Sequence, residues 1–145
     1  MDGLTFVRSL SAADPMPMAR PWRFRILSVE RGEVRAIALP GREHENPFGV
    51  VQGGFASTVL DMALGLVSIS VLADSDEMMV ATTDLIVRYF KAIVHSTGEL
   101  RIDARVTHQH ERQIVAEAYL QNEIGTRYAF AQSNCVVTRR KQRKR

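Results

Sequence analysis

The segment GVVQGGFASTVLDMALG, residues 49–65, places one carboxylate, Asp61, inside a long apolar run. Small or polar residues recur beside it at steps of three and four, a spacing that one face of a helix brings together. The residues on that face are Gly54, Ser57, Thr58, Asp61, Gly65 and Ser68. Burying an ionised carboxylate without partners is costly. Either this stripe faces solvent, therefore, or Asp61 has a chemical role.

Two adjacent glycines, Gly53 and Gly54, stand where such a helix would begin. The first N–H groups of a helix have no partners within it, and the helix dipole adds partial positive charge there. Glycine lets a ligand approach the backbone closely, so these N–H groups suit a carbonyl oxygen that becomes an oxyanion. Alternatively, the two glycines serve only to allow a tight turn into the helix. Together with Asp61, the donor site predicts transfer of an acyl group to water.

The elements that position these residues are predicted from periodicity and turn signals. Residues 55–72 show no two-residue alternation and are long enough for a helix, whereas residues 41–54 are rich in breakers and predicted as a loop. Strands are predicted where short segments lie between turn-like sequences. They are residues 22–30, 33–40, 78–90, 99–108, 112–122 and 127–138. Residues 1–20, with Pro15 and Pro17, are predicted as an irregular or partly helical lead-in.

The order of two strands, one long helix and four strands predicts one α+β domain over residues 1–138. A chain of 145 residues fits a single domain. Because most faces of the helix are apolar, it must be covered on most sides. About six strands, mostly joined by short connections, form an antiparallel sheet that curls around it. A helix wrapped in such a sheet is the hotdog fold.

The net charge of +3 belongs to the end of the chain. Residues 139–145, RRKQRKR, carry six basic groups, and subtracting these from +3 leaves −3 for residues 1–138. The run is predicted as a disordered, solvated tail. It is also able to meet phosphates of a nucleotide ligand, nucleic acid or membrane. No nucleic-acid motif and no bilayer-length apolar run accompanies it, so we expect no nucleic-acid or membrane partner.

The cysteine and histidine residues bear on whether the chain forms a disulfide or a metal site. The single Cys135 cannot form an internal disulfide and is predicted as a small buried strand residue. Together with an N-terminus that lacks a signal-peptide pattern, it favours a cytoplasmic location. His108 and His110, beside Glu111, lie in a polar turn without a further ligand, so no metal site is predicted. The sequence has no G-x-S-x-G elbow and no phosphate-binding loop.

The stretch NPFGVVQGGFASTVLDMALG, residues 46–65, resembles the signature of the PaaI-type hotdog thioesterases, which hydrolyse acyl-coenzyme A thioesters. That signature combines an Asn, a Gly three residues later, a His-Gly-Gly triplet, and an acid eight residues after the first paired glycine. Its counterparts here are Asn46, Gly49, Gln52-Gly53-Gly54 and Asp61. The segments TTDLIVRYFKAI (82–93) and TRYAFAQSNCVV (126–137) resemble two later strands of the family. The likeness covers residues 22–138, which is the whole predicted domain.

The resemblance implies a catalytic role for three of these residues. The N–H of Gly53 binds the thioester carbonyl. Asp61 acts as a general base on water, or as the nucleophile that forms a mixed anhydride. Asn46 helps to place the water or holds the carbonyl region.

The family's histidine is replaced here by Gln52, which can donate a hydrogen bond to a carbonyl but does not titrate. This replacement argues against the related hotdog dehydratases, which depend on a catalytic histidine. Thr82 matches a family hydroxyl that positions water, and Gly54 and Thr83 are expected to contact the substrate.

The resulting expectation is an acyl-CoA thioesterase without metal or redox cofactor, coenzyme A being part of the substrate. Two alternatives stay open. One is a non-catalytic acyl-CoA-binding protein, a ligand sensor of which Gln52 would be the mark. The other is a ligand sensor that its basic tail recruits to nucleic acid or membrane. The sequence does not define the length or aromaticity of the acyl group.

The spacing of Gly53 and Asp61 predicts a site shared by two chains. They are eight positions apart in the sequence, which is about 12 Å along a helix axis. A reacting carbonyl needs its donor and its attacking group each within roughly 3 Å, or one water further. A two-fold partner with an antiparallel helix brings its own Asp61 to the first chain's Gly53. The resemblance implies the same arrangement, a homodimer with shared sites that pairs into a homotetramer.

Overall fold

The computed structural model describes residues 1–12 and 16–141, in which the chain forms two α-helices and six β-strands. The helices are α1 (Gly3–Ala12) and α2 (Gly53–Ser70). The strands are β1 (Arg25–Glu30), β2 (Glu33–Ala38), β3 (Met78–Tyr89), β4 (Leu100–His110), β5 (Gln113–Gln121) and β6 (Arg127–Arg139). Short 3-10 turns at Pro17–Trp22, Arg42–His44 and His95–Thr97 lie between these elements.

All six strands form one antiparallel sheet in the order β1-β2-β4-β5-β6-β3. After β2 the chain passes through α2 and reaches β3 at the far edge, and β4 then returns to pair with β2. β1 and β3 are therefore the two edges of the sheet. One antiparallel sheet that surrounds a long helix is the predicted α+β hotdog fold, and the prediction is confirmed.

Helix α2 forms the centre of the core because the sheet covers most of its faces. Ten of its 18 residues are buried, including Phe55, Leu60 and Leu64. The eight apolar residues among them belong to one cluster with buried strand residues such as Leu100 and Ile102. By length and composition α2 is the one helix of the described residues that passes as a membrane span, but its burial is that of a core helix.

The two ends of the chain carry more regular structure than the sequence predicts. The predicted lead-in contains helix α1, whose Val7 is fully buried in the core. At the other end, β6 includes the first basic residue of the predicted tail, because Arg139 pairs with Met78 of β3. Residues 13–15 of the lead-in and 142–145 of the tail lie outside the described residues.

Candidate active site

The N-terminus of α2 presents free backbone donors, as the sequence predicts. Gln52 is the N-cap residue, and its side chain is exposed and makes no capping hydrogen bond. Its backbone N–H donates to the carbonyl of His44 at 2.8 Å, and the N–H of Phe55 donates to the carbonyl of Gln52 at 2.9 Å. No hydrogen bond among the described residues uses the N–H groups of Gly53 and Gly54. These two N–H groups are available to an external acceptor.

Asn46 holds the loop that leads into α2. Its side-chain Oδ1 accepts hydrogen bonds from the N–H groups of Phe48 at 2.9 Å and Val50 at 3.2 Å. The N–H of Val51 donates to the carbonyl of Ile93 at 2.8 Å, which fixes the same loop to the segment after β3. With its Oδ1 committed to the loop, Asn46 offers its NH2 group as the remaining donor.

A cleft of about 360 Å³ opens at this helix start, and Asn46, Gln52 and Gly53 line it together with residues 89–93. The Tyr89 hydroxyl donates to the carbonyl of Gly53 at 2.9 Å. A Cβ atom added at Gly53 would lie 3.2 Å from the Tyr89 ring. Glycine is therefore the residue that lets β3 come this close to the helix.

Asp61 lies further along α2, beside a threonine hydroxyl of β3. The Thr82 Oγ1 donates to Asp61 Oδ1 at 3.4 Å and also lies 3.9 Å from Cys135 Sγ. Asp61 is only partly buried, and the stripe around it is open: Gly54 is exposed, and Ser57 is partly exposed. In the single chain, the stripe is thus partly open to solvent from Gly54 to Gly65, whereas Ser68 at its far end is buried.

A β-bulge in β3 turns Thr82 towards the helix. Thr82 pairs with Cys135 and Asp84 pairs with Asn134, so Thr83 is the extra residue between them. Such a bulge shifts the alternation of side chains along a strand. It allows Thr82 to face Asp61 on one side of the bulge while Leu85 and Val87 pack against the core on the other.

Thr83 itself is held in the sheet, because its hydroxyl donates to the carbonyl of Asn134 at 2.9 Å.

The predicted site residues thus form two separate groups within one chain. Asn46, Gln52 and Gly53 line the cleft. Asp61 and Thr82 form the second group, which does not line that cleft. Gly53 and Asp61 are eight positions apart on α2, which keeps the groups about 12 Å apart along the helix axis. A single chain therefore offers free backbone donors at one place and a carboxylate at another.

Sequence reasoning missed two contributors to this region, Tyr89 and His44. Tyr89 ends a strand without any motif, so only the fold reveals its contact with Gly53. His44 is buried beneath the loop, stacked on Trp22 with ring centroids 5.1 Å apart. Its Nδ1 accepts from the N–H of Gly41 at 2.9 Å, which leaves its Nε2–H to donate to the carbonyl of Pro21 at 2.7 Å. Its own carbonyl supports Gln52, so His44 is part of the framework of the site.

Two other groups of polar side chains lie outside this region, one on the outer face of the sheet and one at the end of β4. A hollow of about 850 Å³ lies over the outer face of the sheet, where Arg35 and Arg105 face Asp103 and Glu117 as ion pairs. His108 and His110 lie in the last residues of β4 and not in the predicted turn, because they pair with Val115 and Gln113 of β5, and their ring centroids are 6.4 Å apart. No group of three or more His, Cys, Asp or Glu side chains among residues 1–12 and 16–141 is placed to hold a metal ion.

The sequence of this chain matches a known protein family. The family model described as the thioesterase superfamily matches residues 48–129, a range that includes Gly53, Asp61 and Thr82. No curated protein matches the chain.

Several solved structures share the fold. A phenylacetic acid degradation-related protein from Ralstonia eutropha JMP134 is 24% identical, with 90% of this chain and 98% of that chain covered and a TM-score of 0.79. A Streptococcus mutans UA159 protein whose crystal structure is bound to acetyl-CoA is 27% identical, with 82% and 91% covered and a TM-score of 0.72. A hypothetical thioesterase from Streptococcus pneumoniae TIGR4, solved with coenzyme A, is 23% identical, with 82% and 91% covered and a TM-score of 0.71.

Proposed function

The chain belongs to the thioesterase superfamily, and on that premise we propose that it hydrolyses acyl-CoA thioesters to a free acid and CoA. This membership confirms the resemblance to PaaI-type hotdog thioesterases. The observation that carries the proposal is that α2 presents the free N–H of Gly53 at its start and, further along, Asp61, whose carboxylate accepts from Thr82 of β3. The S. mutans relative, which binds acetyl-CoA, supports the choice of thioester.

In the proposed reaction, Asp61 takes a proton from water as the water oxygen attacks the thioester carbonyl carbon. The carbonyl oxygen becomes an oxyanion and receives hydrogen bonds from the N–H of Gly53 and from the Gln52 amide. The intermediate then collapses, the C–S bond breaks, and the CoA thiolate takes the proton from Asp61. In the nucleophilic variant, Asp61 attacks the carbonyl carbon, the C–S bond breaks, and the CoA thiolate leaves a mixed anhydride behind. Water then hydrolyses the anhydride to the free acid and the Asp61 carboxyl, and the proton that this releases goes to the thiolate. Either route uses only these groups and water.

We also propose that each site combines two copies of the chain. β3 is a long edge strand that has no partner on its outer side in the single chain. Large apolar side chains are exposed towards its C-terminal end: Ile86 is 53% exposed, Tyr89 56% and the following Phe90 55%. An edge of this kind favours pairing with another strand. Antiparallel pairing of two β3 strands centred near Ile86 brings Arg88 of each copy to the partner's Asp84, a complementary pair of charges.

The alternative is a non-catalytic acyl-CoA-binding protein, and Gln52 is the residue that distinguishes it. If Gln52 donates to the thioester carbonyl, Gln52→Ala removes one oxyanion donor and lowers kcat. Gln52→His restores a donor with the family's chemistry and keeps or raises kcat. Steady-state kinetics of the three proteins check this. A wild type that binds acyl-CoA without releasing thiol, and a Gln52→His variant that behaves likewise, would favour the binder.

Thr82 and Thr83 offer a test with neighbouring residues of the same type. Thr82→Val removes the hydroxyl that donates to Asp61 and should lower kcat about tenfold, the value of one hydrogen bond to a charged group. Thr83→Val removes a hydroxyl that donates to the carbonyl of Asn134 within the sheet, so we expect its kcat to stay near the wild-type value. A loss of kcat in the Thr83 variant alone would contradict the assignment of Thr82.

The proposed activity is tested directly by thiol release from a panel of acyl-CoAs that differ in chain length and aromaticity. We expect saturable release of CoA from at least one class of thioester. Binding of these compounds without any release would contradict hydrolysis and leave the acyl-CoA-binding function.

A further inference from the structure

One cation faces the cleft at the start of α2. The sequence has three lysines, Lys91, Lys141 and Lys144, and the last two belong to the basic run at the end of the chain. Lys91 follows β3 and lines the cleft together with Asn46, Gln52 and Gly53. Every other residue that lines this cleft is uncharged. The cleft therefore carries positive charge from Lys91 and from the N-terminal end of α2.

Within the described residues, Lys91 forms no ion pair with an acidic side chain. Five arginines lie within 4.0 Å of a carboxylate oxygen. They are Arg8, Arg23, Arg35, Arg101 and Arg105. The Lys91 ammonium instead lies 5.6 Å from the centroid of the Tyr128 ring. An ion-paired lysine would be satisfied by the protein, whereas this one keeps its charge available to a ligand.

The backbone of Lys91 is fixed by hydrogen bonds, although its side chain is exposed. The N–H groups of Phe90 and Lys91 donate to the carbonyl of Tyr128 at 2.9 and 3.3 Å. The loop on the opposite wall is held by Asn46 and by the hydrogen bond from Val51 to Ile93. The backbone of Lys91 thus holds the root of its side chain at the cleft that Gly53 also lines.

A neutral acyl group gains no electrostatic attraction from the Lys91 ammonium, whereas the negatively charged phosphates of coenzyme A do. A lysine ammonium binds phosphate as a point charge. We propose that Lys91 binds a phosphate of coenzyme A and thereby selects phosphate-bearing thioesters over thioesters of simple thiols. This inference rests on the proposed function, since it concerns the coenzyme end of the same substrate.

The test compares an acyl-CoA with the same acyl group on pantetheine, which lacks phosphate. Lys91→Met should raise KM for the acyl-CoA about tenfold, the cost of one charge-assisted contact, and leave KM for the acyl-pantetheine unchanged. Lys91→Arg should retain most of the affinity. Arg35→Met, which removes a cation from the outer face of the sheet, is the matched control and should change neither KM.

Failure of this inference is distinguishable from failure of the proposed hydrolysis. Equal changes of KM for both substrates in Lys91→Met would contradict a phosphate contact while hydrolysis stands. If wild type hydrolyses neither substrate, calorimetric titration with free coenzyme A decides the matter. A dissociation constant about tenfold higher for Lys91→Met supports the contact, and equal constants, or no binding by wild type, overturn it.

Discussion

Asp61→Asn lowers kcat for acyl-CoA hydrolysis by at least about 100-fold in the proposed mechanism, the lower end of what general-base catalysis contributes. The amide has nearly the shape of the carboxylate and still accepts from Thr82 Oγ1, so the packing of α2 is retained. It cannot take a proton from water, nor attack the carbonyl as a nucleophile. Both versions of the mechanism therefore predict the loss.

The measurement is steady-state kinetics combined with thermal unfolding and CoA binding. We expect the melting temperature and the dissociation constant for CoA to stay near their wild-type values. Asp103→Asn is the matched control, because Asp103 lies on the outer face of the sheet beside Arg35, and its kcat should not change. Equal turnover by Asp61→Asn and wild type would remove Asp61 from the reaction.

The fold was predictable because its strongest signals are local. An apolar segment long enough for a helix and six segments bounded by turns define the elements, and the need to cover the helix defines the sheet. Helix α1 is the exception. The prolines after residue 12 favour an irregular or partly helical lead-in without defining where a helix lies. Residues 3–12 contain no proline, and burial of Val7 on the core stabilises a helix there.

The candidate site was predictable only in part. The Gln52-Gly53-Gly54 triplet and Asp61 are visible because glycine pairs and lone carboxylates stand out in an apolar segment. The meeting of Thr82 with Asp61 depends on a bulge at Thr83, and strand alternation alone does not locate a bulge. Lys91 and Tyr89 reach the cleft through tertiary contacts of the chain at and after the end of β3, which no spacing rule records.

Two inactive variants should restore each other's activity if the site is shared. Asn46→Ala removes the acceptor that holds the loop through Phe48 and Val50, so it damages the carbonyl-binding group. Asp61→Ala removes the carboxylate of the other group. In a hybrid dimer, one site combines an intact Asn46 and Gly53 with the partner's intact Asp61, and the second site carries both defects.

Mixing the two variants after partial unfolding and refolding, and then measuring thiol release from acyl-CoA, tests the central claim most directly. About half of the randomly formed dimers are hybrids with one of two sites intact, so activity should recover to about a quarter of the wild-type value. Each variant refolded alone is the control and should stay inactive. No recovery in a sample whose hybrid dimers are confirmed by mass would place the whole site within a single chain and contradict the account.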